Sequence, residues 1–147
     1  MTDIFVNLPI TDLERTKAFY TALGWEINDN FTDENAACIV VDKNIYLMLL
    51  TREFLGTFTD KPIIDPRTHV QAMTAFSKDS RDAVDAILKT GLAAGGTEPR
   101  TAQDYGFMYS RDLEDPDGNI LEFVWMDPAA AEKGPDAYVA EQQNARS

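Results

Sequence analysis

DPDGNILEFVW, residues 115–125, joins a dense turn signal directly to an apolar run. Proline presets φ, glycine permits positive φ, and aspartate and asparagine tolerate left-handed backbone, so residues 115–119 predict a tight turn. Residues 120–126 then predict a buried strand that carries Glu122 in its middle. Because side chains alternate along a strand, Glu122 shares one face with Ile120 and Val124, and the opposite face is apolar. The function of this carboxylate is the central question that the sequence raises.

The first half of the chain predicts the element order β-α-β-β-β. Residues 4–8 form a short apolar run that predicts a strand. The helix that follows can begin at Thr11, which forms a capping-box pattern with Glu14, or at Asp12 as a rival cap. Gly24 ends the helix. Three further strands are expected, and the last two form a hairpin; they span residues 25–27, 36–41 and 45–50.

The second half repeats this order without repeating the residues. A strand is expected at 70–76, followed by a helix that begins at Asp79 or Ser80. The remaining strands are expected at 97–101, 107–113 and 120–126. We therefore predict a single domain over residues 1–128, built from two modules at about 1–58 and 67–128. Residues 129–147 are expected to be a C-terminal tail with a short helix at 136–144.

Composition excludes several function classes. The 147 residues carry a net charge of −12 and no basic patch, which argues against nucleic acid as a partner. No apolar run approaches the roughly 18 residues that a membrane span requires, and the N-terminus does not resemble a signal peptide. The single cysteine, Cys38, lies inside an apolar run and is interpreted as a buried hydrophobe. These features predict a cytoplasmic protein.

The two predicted β-α-β-β-β halves resemble the vicinal oxygen chelate family, the group of glyoxalases, bleomycin-resistance proteins and extradiol dioxygenases. The resemblance is carried by DLERTKAFYTALGW at residues 12–25 and DPDGNILEF at residues 115–123. The connector motif TREFLGTF at residues 51–58 is similar to a bacterial glyoxalase-like subgroup. The resemblance implies an α+β fold in which two βαβββ modules form a U-shaped cleft. It also implies a homodimer, with the cleft formed either within one chain or across the dimer.

Family enzymes hold a divalent metal with one ligand from the first and one from the last strand of each module. Glu122 matches the family glutamate of the last strand. The three remaining positions fall on residues that bind hard metals poorly: Phe5 with its neighbour Asn7, Leu47 or Met48, and Ala72 or Met73. The only histidine, His69, and nearby Gln71 could reach the cleft only if their strand began early. The resemblance therefore implies an incomplete metal site, with no cofactor expected and a divalent metal as the open alternative.

Glu122 has other roles open to it. A carboxyl group buried in an apolar cleft could act as a general base or acid, or it could bind a ligand amine. It could instead pair with Arg111, which shares a face of the preceding strand with Tyr109 and Leu113. The residues expected to contact a ligand are Phe5, Asn7, Leu47, Met48, Met73, Tyr109 and Arg111. Arg52 and Arg67 on the connector are secondary candidates.

Three functions compete on this basis. The first is a small-molecule-binding protein of unknown ligand that lacks a complete metal site, in the manner of the bleomycin-resistance proteins, which bind a cationic drug. The alternative is a metal-dependent lyase or isomerase of the glyoxalase type that uses Glu122 as ligand or base. A structural or regulatory role at a dimer surface is a third hypothesis. A strongly acidic chain attracts cations, which favours the first.

Overall fold

The computed structural model describes residues 1–146 and contains two four-stranded sheets with helices. The first module comprises β1 (Ile4–Ile10), α1 (Leu13–Ala22), β2 (Glu26–Ile27), β3 (Ala36–Asp42) and β4 (Ile45–Thr51). The second comprises β5 (Met73–Ser77), α3 (Arg81–Ala93), β6 (Gln103–Asp104), β7 (Met108–Glu114) and β8 (Ile120–Met126). A short α2 (Arg52–Leu55) begins the connector, and α4 (Pro128–Lys133) and α5 (Pro135–Arg146) follow β8. The predicted α+β class with two βαβββ modules is confirmed.

Both sheets have the same topology. The strand orders are β1-β4-β3-β2 and β5-β8-β7-β6, so the first strand of each module pairs with its last strand. These two pairings, β1 with β4 and β5 with β8, are parallel, and the other neighbours are antiparallel. A parallel pair needs a long crossover, and in each module the helix supplies it.

Side-chain caps fix where the two long helices begin. Asp12, not Thr11, caps α1, because its carboxylate accepts a hydrogen bond from the Arg15 amide at 3.1 Å. Ser80 caps α3 by accepting from the Ala83 amide at 3.0 Å. Both caps satisfy amides that have no partner inside the helix.

One face of each sheet packs against α1 or α3, and the two modules share a single apolar core. Its fully buried members include Leu8, Leu47 and Leu49 from the first sheet and Leu113, Leu121 and Phe123 from the second. The opposite face of the two sheets carries more exposed side chains. We call it the open face; its residues are Phe5, Asn7, Tyr46, Met48, Met73, Ala75, Asp112, Ile120 and Glu122.

The DPDGN turn of the second module forms hydrogen bonds with the first module. Tyr20 of α1 donates its hydroxyl to Asp115 at 2.8 Å, and Asn119 donates its side-chain amide to the Pro9 carbonyl at 2.9 Å. Asp117 accepts hydrogen bonds from both the amide and the hydroxyl of Thr11, at 3.1 and 2.7 Å. Burial raises the pKa of Asp115. The turn that precedes β8 therefore also holds the two modules together.

Some predicted elements differ from those observed. The strand expected at 97–101 is wrong: that segment makes only a single bridge, Thr97 with Glu114, and the short β6 lies further along. The strand β5 begins at Met73, three residues later than expected. The tail contains two helices, and its last residue, Ser147, lies outside the described residues. Within residues 1–146, each helix is too short or too polar to cross a bilayer.

Candidate functional site

Glu122 lies at the centre of the open face of the second module. Its neighbours across the ladder are Ala75 on β5 and Asp112 on β7. The Glu122 side chain is about one quarter exposed, at 26%. No hydrogen bond from residues 1–146 reaches its carboxylate; its one ionic contact is Arg100, at 3.6 Å. That separation is too long for a hydrogen bond, so the carboxylate can accept one from a ligand.

Asp112 and Arg100 form a tight pair beside Glu122. Arg100 Nε donates to Asp112 Oδ2 at 2.6 Å, and the Asp112 side chain is 2% exposed. The other oxygen, Oδ1, is buried without a hydrogen-bond partner in the described part of the chain. Two carboxylates directly opposite on neighbouring strands repel each other, and Arg100 offsets this repulsion only in part. The group of three carries a net charge of −1.

Side chains alternate along β4, so only one of the two predicted residues, Leu47 or Met48, can lie on the open face. Leu47 is fully buried in the core beneath the helices, so its assignment to the cleft is wrong. Met48 lies on the open face, beside Asn7 in the parallel ladder, and Phe5 lies beside Tyr46. Every residue of 45–50 is apolar or aromatic, and for this reason the sequence does not reveal the alternation.

Tyr109 and Arg111 also lie on the helix side of their sheet, which corrects their assignment to the cleft. The Tyr109 hydroxyl donates to Asp85 of α3 at 2.6 Å. Arg111 binds Glu98 through two hydrogen bonds of 2.8 Å and binds Asp85 at 2.9 Å. The Arg111 guanidinium lowers the pKa of Glu98, and the hydrogen bonds from Tyr109 and then Arg111 lower that of Asp85. Arg111 therefore fastens α3 to β7 and does not pair with Glu122.

The residues at the family metal positions do not fit a divalent metal. On the open face, the equivalents of Glu122 are Asn7 on β1, Tyr46 or Met48 on β4, and Ala75 on β5. This set offers one carboxylate, one amide and no imidazole, and a divalent cation needs several hard donors to offset its desolvation. Across residues 1–146 no group of three or more His, Cys, Asp or Glu side chains could hold a metal ion.

The remaining metal candidates lie in the connector before β5. His69 is exposed, and its Nδ1 is 2.8 Å from the Thr68 hydroxyl. Gln71 donates to the Asn7 carbonyl at 3.3 Å, so it links the connector to β1. Ala72 is exposed and precedes the first residue of the strand. These three residues therefore do not complete a donor set around Glu122.

Large apolar side chains are exposed on the open face. Phe5 is 53% exposed and stacks on Tyr46, with ring centroids 4.7 Å apart. Met73, on the edge strand of the other sheet, is 45% exposed. Exposed apolar side chains on the same face as a carboxylate that accepts no hydrogen bond from the described residues suit an organic ligand with a polar or charged end.

The connector packs on part of the open face of the first module. Leu55 of α2 packs with Ala36 and Leu50, and Phe54 and Ile63 pack against them. Arg52 donates to the carbonyls of Ile63 and Ile64, so its main role is structural. Arg52 and Arg67 also line a cavity of about 270 Å³ with Asp65 and Asp117. Cys38 is buried, and burial raises the pKa of its thiol, in line with its interpretation as a buried hydrophobe.

Sequence reasoning missed Tyr46, Ala75, Arg100 and Asp112. Ala75 was missed because β5 begins later than the sequence predicts, which shifts the residue that lies beside Glu122. Arg100 lies in an irregular segment, and Asp112 resembles a solvated charge within residues 108–114. The alternation of β7 and β8 could have placed Asp112 beside Glu122, since the two strands form an antiparallel hairpin around the turn.

Comparison with protein-family models finds a match to the N-terminal part of the chain. Residues 3–42 match the family described as bleomycin resistance protein-like N-terminal. No curated protein sequence matches the chain at a significant level.

Solved structures extend the comparison over both modules. The hypothetical protein SA1046 from S. aureus has a TM-score of 0.72 at 20% identity, covering 85% of this chain and 94% of its own. A glyoxalase/bleomycin resistance protein from Albidiferax ferrireducens T118 has a TM-score of 0.61 at 25% identity, with 82% and 95% covered. The bleomycin resistance determinant encoded on the transposon Tn5 has a TM-score of 0.60 at 20% identity, with 86% and 99% covered.

These similarities agree with the two-module fold described above. The chain therefore has the fold of the glyoxalase and bleomycin resistance proteins, and its N-terminal part matches the bleomycin resistance protein-like family.

Proposed function

We propose that this protein binds a small, partly apolar organic molecule on its open face and does not require the metal that family enzymes use. One observation carries the proposal. Glu122, whose carboxylate accepts no hydrogen bond within residues 1–146, lies on the same face of its sheet as the exposed Met73, and Phe5 is exposed on the face of the other sheet that lies opposite the helix. The family metal positions around that carboxylate lack the donors to hold a divalent ion.

The ligand contacts follow from this arrangement. Phe5 and Tyr46 supply a stacked aromatic surface, and Met48 and Met73 supply flexible apolar contacts. Asn7 supplies an amide, and Glu122 accepts a hydrogen bond from the polar end of the ligand. We extend the proposal to a homodimer in the cytoplasm, supported by the family resemblance and the single buried cysteine.

Metal analysis separates this proposal from the lyase or isomerase alternative. Protein purified without added metal is expected to contain far less than one equivalent of Ni, Zn, Fe or Mn. Glu122→Gln is expected to leave that content unchanged, because no metal depends on this carboxylate. A fragment screen by thermal shift after treatment with EDTA is expected to yield stabilising ligands. A stoichiometric metal that is lost on Glu122→Gln would support the alternative and overturn the proposal.

A further inference from the structure

Arg100 makes ionic contacts with two carboxylates but donates a hydrogen bond to only one of them. Its Nε is 2.6 Å from Asp112 Oδ2, and its Nη2 is 3.6 Å from Glu122 Oε1. The Arg100 side chain is half exposed, at 49%, so it has space to move. The chain thus contains its own cation within reach of Glu122 and holds that cation against the other acid.

The burial of Asp112 explains why Arg100 stays with it. Asp112 is almost fully buried, and its second oxygen has no partner among residues 1–146. A desolvated carboxylate with few hydrogen bonds interacts strongly with the one cation it contacts. Glu122 is more exposed and remains partly solvated, so it competes less well for the guanidinium.

We propose that Asp112 is a positioning residue that holds Arg100 beyond hydrogen-bond distance of Glu122, which leaves the Glu122 carboxylate able to accept hydrogen bonds from the ammonium group of a ligand. This inference rests on the proposed binding function and adds a ligand class, organic amines with an aromatic or apolar body. Phe5 and Met73 contact the body, and Glu122 accepts hydrogen bonds from the ammonium. The net charge of −1 on the three side chains and of −12 on the whole chain favours a cationic ligand.

Three probes with the same phenyl group and differently charged polar ends test the ligand class. They are 2-phenylethylamine, the neutral 2-phenylethanol and the anionic 3-phenylpropanoate, with affinities measured by calorimetry on the full chain at low ionic strength. The wild-type protein is expected to bind the amine most tightly and the carboxylate least. If the alcohol binds as tightly as the amine, or the carboxylate binds more tightly, the inference fails and the binding function survives. If none of the three binds, the proposed function itself loses its support.

Substitution of Asp112 tests the positioning role. Asp112→Asn removes the carboxylate that holds Arg100, and Arg100 is then expected to donate a hydrogen bond to Glu122. Amine binding is expected to weaken about tenfold, the size expected when one charge contact is blocked at a partly exposed site. Adding Arg100→Gln to this variant is expected to restore amine affinity at least to the wild-type value. Binding of the neutral alcohol should change little in either variant, a readout that general damage to the fold would alter.

The outcome that overturns the inference is a double variant that binds the amine as weakly as Asp112→Asn alone. Arg100→Gln by itself provides a second test if Asp112→Asn does not fold. It removes the competing cation, so amine binding is expected to tighten by a few-fold. Unchanged or weaker amine binding in that variant would equally contradict the role assigned to Arg100.

Discussion

Replacing Gly118 with alanine is expected to lower the free energy of unfolding by about 4 kcal/mol. Gly118 has a φ of +98°, and a Cβ there would lie 2.9 Å from backbone atoms of Pro66 and Arg67. The backbone conformation costs an L-residue about 2 kcal/mol, and displacing the connector backbone costs about 2 kcal/mol more. Chemical denaturation measured by circular dichroism, with urea as the denaturant, reports the loss directly.

Gly24→Ala is the matched control for this prediction. Gly24 has nearly the same φ, +95°, but a Cβ there would have nothing within 4 Å. This variant is expected to lose only the conformational part, about 2 kcal/mol. Equal losses in the two variants would contradict the close approach of the DPDGN turn to the connector.

Leu47→Ala is expected to lower the free energy of unfolding by about 3 kcal/mol, and Met48→Ala by about 1 kcal/mol or less. Leu47 is fully buried in the core, so its truncation leaves a cavity beneath the helices. Met48 is half-buried on the opposite face, where it packs at the edge of the cluster of Ala36, Leu50 and Leu55, so its truncation removes fewer core contacts. Denaturant midpoints of the two variants, compared at equal m-value, give the difference.

The pair also separates folding from binding. Met48→Ala is expected to weaken ligand binding on the open face, whereas Leu47→Ala is expected to leave it unchanged where the variant is folded. A larger loss of stability in Met48→Ala than in Leu47→Ala would reverse the assigned phase of β4 and would remove Met48 from the site.

The fold was largely predictable because turns and caps are local signals. The DPDGN turn, the Ser80 cap and the glycines after each helix act through neighbouring residues, so they can be recognised in sequence. The repeated order β-α-β-β-β then indicated two modules. The predicted strand at 97–101 failed because that segment forms only the single bridge between Thr97 and Glu114.

The site was less predictable because it depends on strand phase and on contacts distant in sequence. Apolar residues on both faces of β4 left Leu47 and Met48 indistinguishable, since alternation is visible only when one face is polar. Arg111 was expected near Glu122, but cross-strand register places it opposite Phe123 and places Asp112 opposite Glu122. The contact between Arg100 and Asp112 joins an irregular segment to a strand, and no periodic pattern marks it.

The central claim is that the open face binds an organic ligand without a metal, and chemical-shift mapping tests it most directly. Uniformly ¹⁵N-labelled protein is treated with EDTA and titrated with 2-phenylethylamine while amide shifts are recorded. We predict that the largest changes lie on the open face, around Phe5, Met48, Met73 and Glu122, and that they persist in the presence of the chelator. Changes confined to other surfaces, or changes that require an added divalent metal, would contradict the claim.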